Sequence, residues 1–302
     1  MRPAACGRRR TIGTVLDYHL HLWPHGTRAS QPTLEQLAAY CERAARAGVT
    51  EIALTEHLFR FRQADAALRG WWDDDPDPAL RVQMAGYWDE HVSADLDDYV
   101  DAVLEAKTAG LPVLLGLEVD HYAGRMGEVE RLLAGYPFDV LLGSVHWIGA
   151  WGFDILENPI VMSEWDNRSL ESIWDGYTEA LEELADSGVC DVLAHPDLPK
   201  VSGRRPAVPD EWYERMAEAA ASSGMAAEVS SAGWRKPAAE AYPAPALLAR
   251  FRKRDVPITT ASDAHELPDV AARAADLRVL LTDAGYESLA GYRARRRYAL
   301  AL

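Results

Sequence analysis

Nine histidines occur in this 302-residue chain, and seven of them stand at or just past the ends of short apolar runs. The first group is Asp17-Tyr18-His19-Leu20-His21, where alternation along an extended segment turns both imidazoles to one face, toward a single ion. His25 follows in the next turn. Thr55-Glu56-His57, Glu118, Ser144-Val145-His146, Ala194-His195-Pro196 and Ser262-Asp263-Ala264-His265 repeat the placement. One histidine after a strand is more often packed or hydrogen-bonded than a ligand, and an HxH pair alone is common. Ligand-type residues at six ends of seven are another matter, because accidental histidines have no preference for those positions. Nitrogen and oxygen donors without thiolates suit Zn²⁺, Mn²⁺ or Fe²⁺ better than copper(I) or an iron–sulfur cluster. His19, His21, His25, His57, Glu118, His146, His195, Asp263 and His265 exceed what one tetrahedral ion or a pair needs, so two or three divalent metal ions are expected.

The elements that must position these residues are legible as an alternation. Strand-like runs fall at 12–18, 51–55, 112–117, 138–143, 190–194, 225–229 and 257–261. Helical periodicity fills 33–47, 95–109, 169–187, 209–223 and 243–253, the first opened by Thr33 with Gln36 three residues on and closed by Gly48. This is the grammar of βα units and a parallel sheet. In a barrel of parallel strands the C-terminal ends converge on one mouth, which makes neighbours of residues far apart in sequence. Two stretches break the rhythm, 58–92 and 147–168, and read either as walls of the site or as surface loops.

Composition bounds the rest. Hydrophobic residues at 48% and charged residues at 26% describe a globular protein with a large core, and α/β barrels use this length as one domain. A net charge of −16 disfavours a nucleic-acid partner. Arg8, Arg9 and Arg10 make a short basic start to an N-terminal extension over 1–11 that reads as disordered. Asp17, His19 and His21 interrupt any signal-like run after it, and no apolar span of about 20 residues follows, so no membrane association and a cytoplasmic location are expected. Cys6, Cys41 and Cys190 suggest neither a disulfide framework nor a thiolate zinc site, and read as one flexible and two buried residues. The sequence leaves a homo-oligomer open.

Taken in order, the motifs HxH, TEH, GLEVD, GSVH, AHPD and SDAH resemble the polymerase and histidinol phosphatase (PHP) superfamily from about residue 15 to about residue 265. The resemblance implies an α/β fold, a distorted (β/α)7 TIM-like barrel forming a single domain over 12–302, with a trinuclear metal centre. It implies one ion among His19, His21, Glu118 and Asp263, with Glu118 bridging to a second ion held by His146 and His195. His25, His57 and His265 would hold the third, with His25 closer to His21 in sequence than in some relatives. The stretch Glu228-Val229-Ser230-Ser231-Ala232-Gly233-Trp234-Arg235-Lys236, the pair Tyr242-Pro243 and the run Trp23-Pro24-His25-Gly26 look like the histidinol-phosphate phosphatase branch. That implies a small phosphorylated substrate, L-histidinol phosphate. Ser230, where Asn is more usual, and the tryptophan-rich 58–92 insertion depart from the pattern.

A phosphate monoester resists hydrolysis because its charge repels hydroxide, which is scarce at neutral pH. Clustered ions answer both problems, and a hydroxide bridging two of them is the expected nucleophile. Asp263 and His265 then belong to the catalytic set with Arg235, the candidate for bidentate phosphate contact. Arg235 reads equally as a solvated loop arginine; Lys236 and Lys200 are weaker candidates. Trp147, Trp151 and Asp154 are placed to take the substrate's ammonium and imidazole. Asp17 and Glu56 adjoin ligands and either orient them or stand free at the mouth. His91 and His121 are left outside the site, exposure being the simpler account. The competing readings are a diesterase or nucleotidase on the same metals, a non-catalytic metal-binding module, and an amidohydrolase-like barrel. The last is disfavoured by seven strands and by His146, where that group carries a carboxylated lysine.

Overall fold

A computed structural model describes residues 15–302, so the extension expected over 1–11, with Cys6, lies outside the described residues. The chain runs through β1 (Leu16–Asp17), β2 (Glu51–Leu54), β3 (Val113–Asp120) and β4 (Val140–Ser144), then leaves the sheet for a short hairpin, β5 (Trp147–Ile148) and β6 (Trp151–Gly152). It returns with β7 (Val192–Leu193), β8 (Ala226–Ser230) and β9 (Ile258–Ala261). β1 to β4 and β7 to β9 form a seven-stranded parallel sheet in that order. Tyr18 N donates to Thr260 O at 3.0 Å and His21 N to Ala264 O at 2.8 Å, which joins the first strand to the last. The result is the nearly closed, distorted barrel that the alternation and the resemblance imply.

Local chemistry accounts for the helices. Thr33 caps α1 (Leu34–Arg46) by accepting from Gln36 N at 3.2 Å. The Gln36 side chain does not complete a capping box; it donates instead to Leu22 O at 3.0 Å and so ties the helix to the segment after β1. The 58–92 insertion folds as α2 (Arg62–Leu68) and α3 (Pro78–His91). Asp95 caps α4 (Leu96–Thr108), whose Tyr99 hydroxyl lies 2.7 Å from Leu54 O and 3.0 Å from Gly116 O, pinning the helix across β2 and β3. α5 (Met126–Leu133) precedes β4, and α6 (Pro159–Asn167) closes the 147–168 insertion. α7 (Leu170–Asp186, capped by Ser169), α8 (Asp210–Ser223) and α9 (Pro245–Lys253) each precede a strand, and α10 (Ala274–Asp283) packs beyond β9.

Every residue of β3 and β4 is buried, as expected for parallel strands covered on both faces. At Gly116 in β3 a Cβ would lie 2.8 Å from both Thr55 Cγ2 and Val140 O, so only glycine lets the three strands approach. The chain after residue 265, for which the sequence reading proposed no elements, forms α10 and an antiparallel hairpin, β10 (Ser288–Arg293) and β11 (Arg296–Ala301). Arg293 pairs with Glu51, Arg295 with Asp191, and Ala294 N donates to Asp139 Oδ1 at 3.2 Å. These acids precede or begin β7, β4 and β2, so the hairpin covers the N-terminal end of the barrel, opposite the histidines. Among the described residues no helix is long and apolar enough to cross a membrane. Cys41 and Cys190 are buried and, among the described residues, free.

Candidate metal centre

Glu118, near the end of β3, is the hub on which the strand ends converge. Its Oε2 lies 3.2 Å from His19 Nε2, 3.6 Å from His21 Nε2 and 2.7 Å from His57 Nδ1. Its Oε1 lies 2.9 Å from His195 Nε2 and 3.4 Å from His146 Nε2. Asp263 Oδ1 comes within 3.5 Å of His21 Nε2 and 3.9 Å of His19 Nε2. His57 Nε2 stands 3.4 Å from His265 Nε2, and the His265 ring stacks 4.1 Å from those of His21 and His25. All nine sequence-predicted ligands therefore meet at one mouth. His57, grouped by the resemblance with His25 and His265, also lies against Glu118 and so sits between two groups of donors.

The donor set fits divalent cations on two counts. Ligand atoms each about 2.0–2.1 Å from one tetrahedral ion are roughly 3.3 Å apart, and most of these separations lie near that value. His19 Nε2, His21 Nε2, His57 Nδ1 and Glu118 Oε2 are buried without a hydrogen-bond partner among the described residues, although each has opposite or like ligand atoms close by. Buried polar atoms are almost always paired. Lone pairs that converge without hydrogen-bond geometry are what cation ligands present.

A surrounding set of acids holds these ligands. Asp120 Oδ1 lies 2.5 Å from His146 Nδ1, and Glu228 bridges two strand ends, with Oε2 2.8 Å from His19 Nδ1 and Oε1 accepting from His195 N at 3.2 Å. Neither acid is marked out by its local sequence as a histidine partner, although Asp120 repeats the alternation of Glu118 along one strand. Asp17 accepts from Ser262 N and Oγ, each at 2.7 Å, and from Ala271 N at 2.8 Å, fastening the turn that presents Asp263. Glu56 accepts from Trp23 N at 3.0 Å and from Leu22 N, and its other oxygen lies 3.6 Å from His21 Nδ1. Both acids are thus orienting residues. His195 and Asp263 have φ of +26° and +51°, a conformation non-glycine residues adopt only when the surroundings enforce it. Burial raises the carboxyl of Asp17 to about 6 against its hydrogen bonds, and raises Asp120 to about 6 against the opposing charge of His146. Burial works the same way on Glu118, but His19, His146 and His57 together hold it well below the usual carboxylate range. Asp120→Asn is expected to weaken metal affinity by about 10–100-fold, the usual cost of losing an outer partner of a ligating histidine. Metal titration of the stripped variant measures this, and an unchanged affinity would refute the orienting role.

The pocket above the centre is lined by ligands together with Phe59 and Tyr87 from one insertion, Trp147, Asp154 and Ile155 from the other, and Lys236 and Tyr242. The insertions are walls. Trp71 stacks on Trp147 at 4.8 Å and Asp75 Oδ2 accepts from Ala150 N at 2.7 Å, so the two insertions brace each other. Burial raises the Asp154 carboxyl, opposed by His146, Lys236 and His195.

Several expected positions differ. Trp151 does not face the pocket: it is fully buried, donates to Val161 O at 3.1 Å and packs on Trp165, because the hairpin turns it into the core of its own insertion. The Arg235 guanidinium donates to Ser262 O at 2.8 Å and Asp263 O at 3.0 Å and lies 3.5 Å from Asp269, so it clasps the turn bearing Asp263, while Lys236 lines the pocket. Lys200 is buried against Asp197 and Glu240, each at 3.0 Å. His91 and His121 are buried rather than exposed, His91 edge-on to the His25 ring at 6.2 Å with its Nδ1 2.7 Å from Tyr87 O and His121 paired with Glu183 at 3.0 Å. Folding of the insertion and of α7 over them, not any local signal, decides this.

A parallel β/α barrel whose C-terminal mouth gathers imidazoles and carboxylates around one glutamate is a barrel with a divalent-metal site at that mouth. Within that class the chain belongs to the PHP domain family, whose model matches residues 17–232. A Deinococcus radiodurans protein described as a probable histidinol-phosphatase is 34% identical over 272 residues, 90% of this chain and 94% of its own. The fold is also that of the Lactococcus lactis histidinol phosphate phosphatase crystallised with zinc, L-histidinol and phosphate (TM-score 0.66, 19% identity, 94% of this chain and 99% of that one). A Listeria monocytogenes hisK protein aligns similarly, with TM-score 0.68 and 16% identity over 86% of this chain and 99% of its own.

Proposed function

We propose that this protein hydrolyses L-histidinol phosphate to L-histidinol and phosphate as a metal-dependent phosphomonoesterase. The observation that carries this is the gathering of the nine ligand-type residues, Glu118 at their centre, at one mouth of the barrel, in a PHP chain that matches a probable histidinol-phosphatase along nearly its whole length. Two or three ions of zinc, manganese or iron would be held by His19, His21, Glu118 and Asp263, by His146 and His195 sharing Glu118, and by His57 and His265 with His25. When bound, such ions lower the pKa of coordinated water toward 7 and neutralise phosphoryl charge.

The protein's own residues do the rest. Asp120 and Glu228 fix the tautomers and directions of His146 and His19, so that ligand lone pairs stay aimed into the site. Asp17 from below and Arg235 from above hold the turn that carries Asp263. Lys236 supplies a positive charge in the pocket wall for phosphate oxygens, while the aromatic wall of Phe59, Tyr87 and Trp147 excludes water from the reacting ester. Asp154 provides the acid for the substrate's ammonium group. Asp154→Ala is therefore expected to raise KM for L-histidinol phosphate about 10- to 100-fold, the loss of a charged hydrogen bond, with KM for an aryl phosphate unchanged. Steady-state kinetics on both esters tests the reading, and equal effects on the two would remove the substrate assignment.

A further inference from the structure

Tyr242 lines the same pocket as Asp263, Asp154 and Lys236 and is not one of the nine ligand-type residues. The residue is 1% exposed and its hydroxyl has no hydrogen-bond partner among the described residues. Unpaired hydroxyls are rare in native interiors. The residue that carries this one contributes to the wall of the cavity above the metal ligands.

The phenol is also held firmly. Ser230 N donates to Tyr242 O at 2.6 Å and Tyr242 N donates to Ser230 O at 3.0 Å, clamping its backbone to the end of β8. The ammonium of Lys200 lies 5.1 Å from the ring centroid and is itself fixed by Asp197, Glu240 and, at 2.7 Å, Ala241 O. The imidazole of His195 meets the ring edge-on, with centroids 6.3 Å apart. A donor immobilised before substrate arrives is the arrangement that stabilises charge developing in a transition state.

The other polar groups of the pocket have partners assigned. The imidazoles and Asp263 would hold the ions, Lys236 would take phosphoryl oxygens and Asp154 the ammonium. The ester oxygen is left. By connectivity it lies between the phosphorus at the metal centre and the carbon chain that carries the ammonium, and Tyr242 stands in a wall that touches both regions. Its hydroxyl is neutral and bears a donor proton at neutral pH.

We propose that Tyr242 is a further catalytic residue, its hydroxyl donating a hydrogen bond to the ester oxygen of the departing alcohol. The inference rests on the phosphatase reading. As water's oxygen bonds to phosphorus, the bond from phosphorus to the ester oxygen breaks and that oxygen keeps the electron pair. The hydrogen bond stabilises the charge, and the proton lost by the attacking water balances the one the alcohol takes from solvent.

Tyr242→Phe removes only the hydroxyl. Its kcat toward L-histidinol phosphate is expected to fall by at least about 10²-fold, the effect of one missing transition-state donor, while kcat toward 4-nitrophenyl phosphate changes by less than about threefold because that leaving group needs no donor. Bound metal and inhibition by inorganic phosphate should match the unaltered protein. Equal losses on the two esters, or no loss on either, would overturn the assignment. An independent check needs no variant: across a series of phosphate esters the unaltered protein should show a shallow dependence of kcat on leaving-group acidity, and a steep one would overturn the proposal even where the variant fails to fold. If the unaltered protein released phosphate from no ester at all, the phosphatase reading itself would fall.

Discussion

Glu118→Gln is expected to lower kcat/KM for L-histidinol phosphate by about 10²- to 10⁴-fold, the equivalent of the 3–5 kcal/mol lost when one partner of a buried charge cluster is removed. The reason is geometric. Both carboxylate oxygens are used, one toward His19, His21 and His57, the other toward His146 and His195. Glutamine keeps the shape but removes the charge, and its amide turns N–H groups toward positions where cations would sit. Bound metal should fall in parallel, so elemental analysis accompanies the kinetics. A variant with full metal content and unaltered kcat/KM would take Glu118 out of the centre.

Removing metal from the unaltered protein is the second large effect. Phosphate release is expected to cease, and the melting temperature to fall by on the order of 10 °C, since a ligand at a thousandfold excess over its Kd contributes about 4 kcal/mol and each kcal/mol moves Tm by roughly 2–4 °C in chains of this class. The stability loss follows from what is left behind. His19 and His21 are fully buried, and their Nε2 atoms then have neither a cation nor a hydrogen bond among the described residues. Thermal unfolding of chelated and reconstituted protein measures the shift, and readdition of Zn²⁺ or Mn²⁺ should restore both stability and activity. Metal-free protein melting at the original temperature would show that the imidazoles do not need an ion.

Much of the scaffold could be read locally. The seven sheet strands, the Thr33, Asp95 and Ser169 caps and the placement of histidines after strands all follow from short-range rules, because alternation and capping involve residues within a few positions of one another. The C-terminal hairpin was missed because its role is set by distant acids, Glu51, Asp139 and Asp191, rather than by its own pattern. Glu228 was missed for a related reason: within a strand it looks like any core-flanking acid until His19 is brought to 2.8 Å.

Residue type and strand-end position, both written in the sequence, determined that this protein carries nitrogen and oxygen donors at one end of a parallel barrel. Only the tertiary structure decided which donors share Glu118, that Arg235 clasps the Asp263 turn while Lys236 lines the pocket, that Trp151 turns inward and that the Tyr242 hydroxyl has no partner among the described residues. Those outcomes depend on distances between segments more than two hundred positions apart, fixed by packing of the insertions and by closure of β1 against β9, for which no local periodicity carries a signal.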